Sequence, residues 1–360
     1  MWNIDQFTYI LPDRLIAQTP AVPRDHSRLM VVDRPSGRFE HRHFWELPEL
    51  LGDGDVLVRN NTKVLPARIF GRKEKSGGKC EILLTKHVGF GTEGAIWECL
   101  TKPGLKEGQT VVFEDSLLRA KCQKATNYTR ILEFNQKGEV FFASLEKTGH
   151  VPIPPYIHWE KGDETELRRL YQTTFAKVSG SVAAPTAGLH FTPELDEALQ
   201  KKGVKIEEVT LHVGLGTFLP LQKEQLASRK LHSEFYVLSA DVAERLNSAK
   251  SSGKRIIAVG TTTTRVLETC VGSDGLLSPQ SGETEIFIQP GHKFAFVDSL
   301  MTNFHLPKSS LLMLISAFVS APNTSEKFVD FQKSLMGRAY EEAIRENYRF
   351  YSFGDAMWVR

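Results

Sequence analysis

Two textures of apolar and polar positions divide the chain. From about residue 67 to residue 134, apolar residues come in short alternating runs, at 80–84, 95–100, 110–113, 119–122 and 129–134, separated by Gly, Lys and Pro. Alternation with a period of two describes a half-buried strand, and five such strands with no helix between them predict a small antiparallel barrel or sandwich. A helix is predicted over 138–148, followed by a stiff proline-rich connector at 151–156. Beyond it, continuous apolar runs alternate with segments of helical period. Helices are predicted at 164–175, 193–202, 240–251, 262–270 and 309–319, and strands at 204–213, 255–259 and 284–288. The first 58 residues add a strand at 28–33, a helix at 44–51 and a strand at 56–58. The expected fold is an α/β main domain, with a mostly parallel sheet or a flattened barrel, carrying an inserted small antiparallel β-barrel domain. Residues 1–62 and 152–360 form the expected α/β catalytic domain, and residues 63–151 the insert.

Composition bounds this picture without changing it. With 360 residues and 41% apolar content, the chain can bury a substantial core and is globular, not disordered. No basic stretch followed by an apolar one opens the chain, and the apolar run at 311–319 is too short to span a bilayer, so no membrane association and a cytoplasmic location are expected. The four cysteines are scattered and join no Cys/His cluster of zinc spacing, so no metal is expected.

Charge is more informative in its distribution than in its sum. The net charge is +2, but residues 59–147 hold 16 Lys/Arg against 10 Asp/Glu, a balance of +6, leaving 29 against 33, or −4, elsewhere. This excess is either a solvated surface or a face for a phosphate backbone. Arg68, Arg72, Lys73, Lys75 and Lys79 are the residues placed to follow such a backbone.

Candidate chemistry gathers where predicted strands end. Ala183-Ala184-Pro185-Thr186-Ala187-Gly188-Leu189-His190-Phe191 is a small-residue loop that delivers a histidine to a helix start, with Thr192 as cap and Pro193 in the first turn. His212-Val213-Gly214-Leu215-Gly216-Thr217 resembles half of a dinucleotide fingerprint. Its last glycine is missing, so its glycines serve either close approach to a ligand or a tight bend. Gly260, Thr261, Thr262, Thr263, Thr264 and Arg265 offer amides, hydroxyls and a guanidinium to a carboxylate or phosphate; the alternative is a capped helix with Arg265 on its surface. Asn303, Phe304 and His305 are types that stack on a base and bond its edge, and Asn60 with Asn61 forms either a site edge or a turn. The expectation is that these segments converge on one pocket in which His190, His212 or His305 moves a proton.

Taken together, residues 183–191, 211–218, 259–265 and 302–307, with 60–68, 152–157 and the ending at 348–357, resemble the S-adenosylmethionine:tRNA ribosyltransferase-isomerase family of queuosine biosynthesis. The four-threonine run and Lys177, Ser179 and Ser181 are small departures beside intact motifs. The resemblance implies transfer and isomerisation of the ribosyl moiety of S-adenosylmethionine onto 7-aminomethyl-7-deazaguanine at the tRNA wobble position. The product is epoxyqueuosine, and adenine and methionine are released. It further implies tRNA with a GUN anticodon as partner and S-adenosylmethionine as cosubstrate; a monomer with no tightly bound cofactor is expected. The rival readings are a non-catalytic tRNA-binding protein and an S-adenosylmethionine-dependent RNA methyltransferase. Fitted to the reaction, Thr186, Gly188, Gly214, Gly216, Thr217, Thr261 to Thr264 and Arg265 are expected on the cosubstrate. Asn60, Asn61, Arg68, Arg72, Lys73, Lys75, Asn303 and Phe304 are expected on the base or the tRNA.

Overall fold

The computed structural model describes residues 2–114, 117–159, 163–214, 216 and 221–360. Thr217 of the expected cosubstrate set lies outside them. The larger part is built on a sheet of nine strands, in the order Gln280–Ile286, Lys230–Leu238, Lys205–Leu211, Asp55–Asn60, Arg255–Val259, Ser299–Asn303, Ala356–Val359, Arg28–Val32 and Phe39–His43.

Strands 28–32, 55–60 and 255–259 read as near-continuous apolar runs because both faces of the sheet are covered. Successive side chains go to opposite cores. Met30, Val32, Val56, Val58, Ile256 and Ala258 pack into one, together with Leu246 and Val266 of helices Ala240–Ser251 and Thr261–Cys270. Leu29, Val31, Leu57, Ile257 and Val259 pack into the other, with Phe44 and with Leu195 and Leu199 of helix Pro193–Lys201.

The sheet is mixed, which corrects the expectation of a mostly parallel one. The four strands from Lys205–Leu211 to Ser299–Asn303 run parallel. Ala356–Val359 then enters antiparallel to its neighbour, Arg28–Val32 lies parallel to it, and Phe39–His43 and the two strands beyond Lys205–Leu211 are antiparallel again. Strands 230–238 and 356–359 carried no expectation. The first mixes polar and apolar residues, with Glu234 at a buried position beside Tyr236 and Leu238, and the second is only four residues long. Helix Leu335–Arg345 was likewise not anticipated, and the helix expected over 164–175 spans only Glu164–Leu170. There Arg24 donates to the carbonyls of Gln172 (2.6 Å) and Leu170 (3.4 Å), a tertiary cap that local sequence does not announce.

The smaller part is a closed antiparallel barrel of six strands: Arg68–Lys73, Lys79–Phe90, Ala95–Lys102, Arg130–Phe134, Arg119–Ala125 and Thr110–Val112. Pairing of Arg72 and Lys73 with Val112 and Val111 closes it. Strand 68–73 is the one missing from the five expected. Closure needs Gly71, since a Cβ there would lie 2.7 Å from both Val111 Cγ1 and Val112 O. Helix Gly138–Thr148 covers the barrel with Phe141 and Leu145. Among the described residues, no helix is long and apolar enough to cross a membrane.

Candidate active site

The parallel strands end together. Asn60, Leu211, Val259 and Asn303 close four neighbouring strands at one edge of the sheet, the edge at which open sheets take ligands. Asn60 binds them into one network. Its amide oxygen accepts from Leu211 N (3.0 Å) and Thr62 N (3.1 Å), and its amide nitrogen donates to Leu211 O (2.9 Å) and Thr262 Oγ1 (3.2 Å). Ser181 extends the network, accepting from Val213 N (2.8 Å) and donating to Ala183 O (2.8 Å).

This network presents His212 to a cleft of about 310 Å³ between the sheet and the barrel. The sheet side supplies Gly180, His212, Gly214, Glu234 and Phe235, and the barrel side Lys86, His87, Phe90, Trp97 and Phe142. The His212 ring lies at 22° to that of Phe235, with centroids 5.8 Å apart. Its Nδ1 meets Thr62 Oγ1 at 2.8 Å, and that hydroxyl also reaches Val178 O at 3.5 Å. With the hydroxyl turned to Val178, Nδ1 carries the proton and Nε2 keeps its lone pair. Burial pushes the imidazole down to about 4, so it is neutral at pH 7.

The other two histidines are enclosed. His190 is held between Ser27 Oγ (2.8 Å, at Nδ1) and Asn303 Nδ2 (3.1 Å, at Nε2) and lies on the ring of Phe44. Burial first, then Arg349 and Arg24, push it down to about 3. His305 is likewise buried and pushed to about 3. Its Nε2 meets Thr302 Oγ1 at 3.0 Å, and its backbone N–H donates to the Tyr340 hydroxyl. Thr186 donates to Asn303 Oδ1 (3.1 Å), so Thr186, His190 and Asn303 form a second cluster, with Gly188 buried beside it. Phe304 is fully buried among Tyr340, Tyr348 and Phe350.

The threonine run is turned inward. Thr263 and Thr264 donate to Val259 O (2.8 Å) and Gly260 O (3.1 Å), Thr262 receives Asn60, and Thr261 is buried. Arg265 is ion-paired with Glu234, whose other oxygen accepts from Gly214 N at 2.8 Å. Arg265 and Gly216 line a separate small cavity of about 30 Å³, to which Glu234 also contributes.

The residues expected on the RNA are spread over the sheet end and the barrel, with Arg68 opposite Leu83. Asn61 accepts from Thr210 Oγ1 (2.7 Å), and Arg68 pairs with Glu81 at 3.1 Å. Arg72, paired with Glu114, and Lys73, donating to Gly104 O (3.3 Å), stand with exposed Lys75 at the hairpin end of strand Lys79–Phe90. Thr85, Lys86, His87 and Phe90 line the cleft toward the opposite end of that strand, Thr85 being roughly 20 Å away at ~3.3 Å per residue.

Sequence reasoning missed Glu234, Phe235, Gly180 and the whole barrel wall of the cleft. One signal was available. In strand 230–238, Glu234 falls in phase with the buried Tyr236 and Leu238, an unexpected place for an unpaired carboxylate.

A sheet and a closed barrel meet over a small-molecule-sized cleft, with a neutral histidine on one wall and aromatic rings on the other, a setting in which ligand-binding proteins of this size place their sites. The chain belongs to the queuosine biosynthesis protein family, whose model matches residues 4–359. It is 49% identical over 361 residues to the S-adenosylmethionine:tRNA ribosyltransferase-isomerase of Desulfitobacterium hafniense, and 48% identical over 360 residues to the protein of that name from Symbiobacterium thermophilum, with 99% of each chain covered in both cases. The crystal structure of S-adenosylmethionine tRNA ribosyltransferase from Thermotoga maritima is 38% identical, with a TM-score of 0.54, covering 99% of this chain and 100% of that one.

Proposed function

We propose that this chain transfers and isomerises the ribosyl moiety of S-adenosylmethionine onto 7-aminomethyl-7-deazaguanine at the tRNA wobble position, in the cleft between sheet and barrel. The observation that carries the placement is His212, the one of the three candidate histidines whose ring lines a cleft. Family membership supports the reaction.

The positive sulfur acidifies the neighbouring 5′ carbon. Neutral His212 takes a proton there through Nε2; the electron pair left on the 5′ carbon forms a double bond to C4′ as the C4′–O ring bond breaks, and the freed ring oxygen forms a carbonyl at C1′ that expels adenine. The amine of the modified base then attacks the opened sugar, and rearrangement to the epoxide releases methionine. Thr62 holds the histidine tautomer through Nδ1, and Asn60 and Ser181 hold the strand end that carries it. Glu234 fixes the amide of Gly214 beside the cosubstrate. These steps call on no metal and no tightly bound cofactor.

Residues 1–62 and 152–360 act as the catalytic domain and 63–151 as the insert that meets tRNA with a GUN anticodon. The enzyme works as a cytoplasmic monomer. The test is adenine release from S-adenosylmethionine and modified tRNA. His212→Ala abolishes it, while folded His190→Ala and His305→Ala retain it. Near-wild-type adenine release by His212→Ala, or S-adenosylhomocysteine as the product, overturns the proposal.

A further inference from the structure

We propose that Phe90 on the barrel wall and Phe235 on the sheet wall form an aromatic clamp for the two faces of a purine-type ring. The inference rests on the placement of the reaction in the cleft and adds to it a role for the barrel in binding the base.

Three observations support the clamp. Phe90 and Phe235 line the same cleft from opposite parts of the molecule, yet they remain 64% and 42% exposed. A phenylalanine left so open forgoes much of the gain of burial, and two facing one cleft recover it when a flat ligand enters. Each ring also packs on a neighbouring ring. His87 lies 5.0 Å from Phe90 and 5.1 Å from Trp97, and Phe235 lies on His212. Finally, Trp97, which packs on His87, lines the cleft with Phe90, so the barrel wall is aromatic in depth.

The cleft, at about 310 Å³, is of a size for one small ligand. Stacking suits any purine or 7-deazapurine face, so the adenine of the cosubstrate and the modified base of the tRNA share the required chemistry.

The experiment measures binding of S-adenosylmethionine alone, and of an anticodon stem-loop carrying 7-aminomethyl-7-deazaguanine alone, to the full chain with Phe90→Ala, Phe235→Ala, Phe90→Tyr or Phe235→Tyr. Both positions are at the surface, so the variants fold. Both alanine variants weaken the same one of the two ligands by about 10-fold or more, and tyrosine restores binding; an effect confined to one variant, or split between the ligands, overturns the clamp. Weakened S-adenosylmethionine assigns the clamp to adenine, and a weakened stem-loop assigns it to the tRNA base. Unchanged affinity for both ligands in both alanine variants overturns the clamp. Adenine release by His212→Ala, measured alongside, separates the two ideas. If that variant is inactive while the phenylalanine variants bind normally, only the clamp fails; if that variant is fully active, the cleft assignment fails too.

Discussion

Gly180→Ala tests the cleft through a residue that makes no direct contribution to the chemistry. Gly180 has φ +153°, and a Cβ built there would lie 2.5 Å from His212 Nε2 and 2.7 Å from both Cδ2 and Cε1. The methyl group and the leading edge of the imidazole cannot share that space, so the ring must move away from Thr62 Oγ1 or off Phe235. Overpacking costs about 1–3 kcal/mol, and a positive φ on an L-residue adds a similar amount. In a chain of this length, that lowers Tm by only a few degrees. Displacement of a proton acceptor by about 1 Å costs on the order of 100-fold in rate. The expected result is therefore a folded protein, with near-native circular dichroism, whose adenine release falls by about two orders of magnitude. Because the effect is routed through His212, adding Gly180→Ala to His212→Ala causes little further loss, a strongly non-additive cycle. Wild-type turnover in the single variant, or full additivity in the double, would refute the reasoning.

Glu234 and Arg265 are almost wholly buried and face each other. Glu234→Gln or Arg265→Met alone is expected to cost about 3–5 kcal/mol by stranding a buried charge, and the double variant to recover part of it; urea unfolding measures both. His190 and His305 are held near 3 in the folded chain against ~6.5 unfolded, so the unfolded chain binds more protons between those values. Their contribution is complete above about pH 6.5 and is lost as pH falls toward 3, with a combined slope approaching ~2.7 kcal/mol per pH unit. Urea midpoints from pH 4 to 7.5 should flatten in His190→Gln and His305→Gln, and parallel curves would count against the assignment. Charge reversal at Arg72, Lys73 and Lys75 is expected to weaken tRNA binding and reduce its salt dependence while leaving S-adenosylmethionine binding intact. Unchanged tRNA affinity at low salt would remove those residues from the RNA face.

Local pattern alone determined much of this protein. Alternation in the insert announced a barrel, helix 138–148 was read to its ends, and Thr192 caps helix 193–201 as its chemistry requires. The motifs also lay where strands end, because a strand's apolar run stops where its backbone leaves the sheet. Only the tertiary structure decided what each polar group faces. The same histidine chemistry became a cleft wall at His212 and enclosed packing at His190 and His305, since exposure depends on which segment lands on top. The sheet became mixed because Ala356–Val359 inserts between Ser299–Asn303 and Arg28–Val32, a pairing across most of the chain that no local period encodes. The barrel wall of the cleft was invisible for the same reason. Phe90 and Phe235 are ordinary strand residues until two parts distant in sequence meet and leave both rings open to one space.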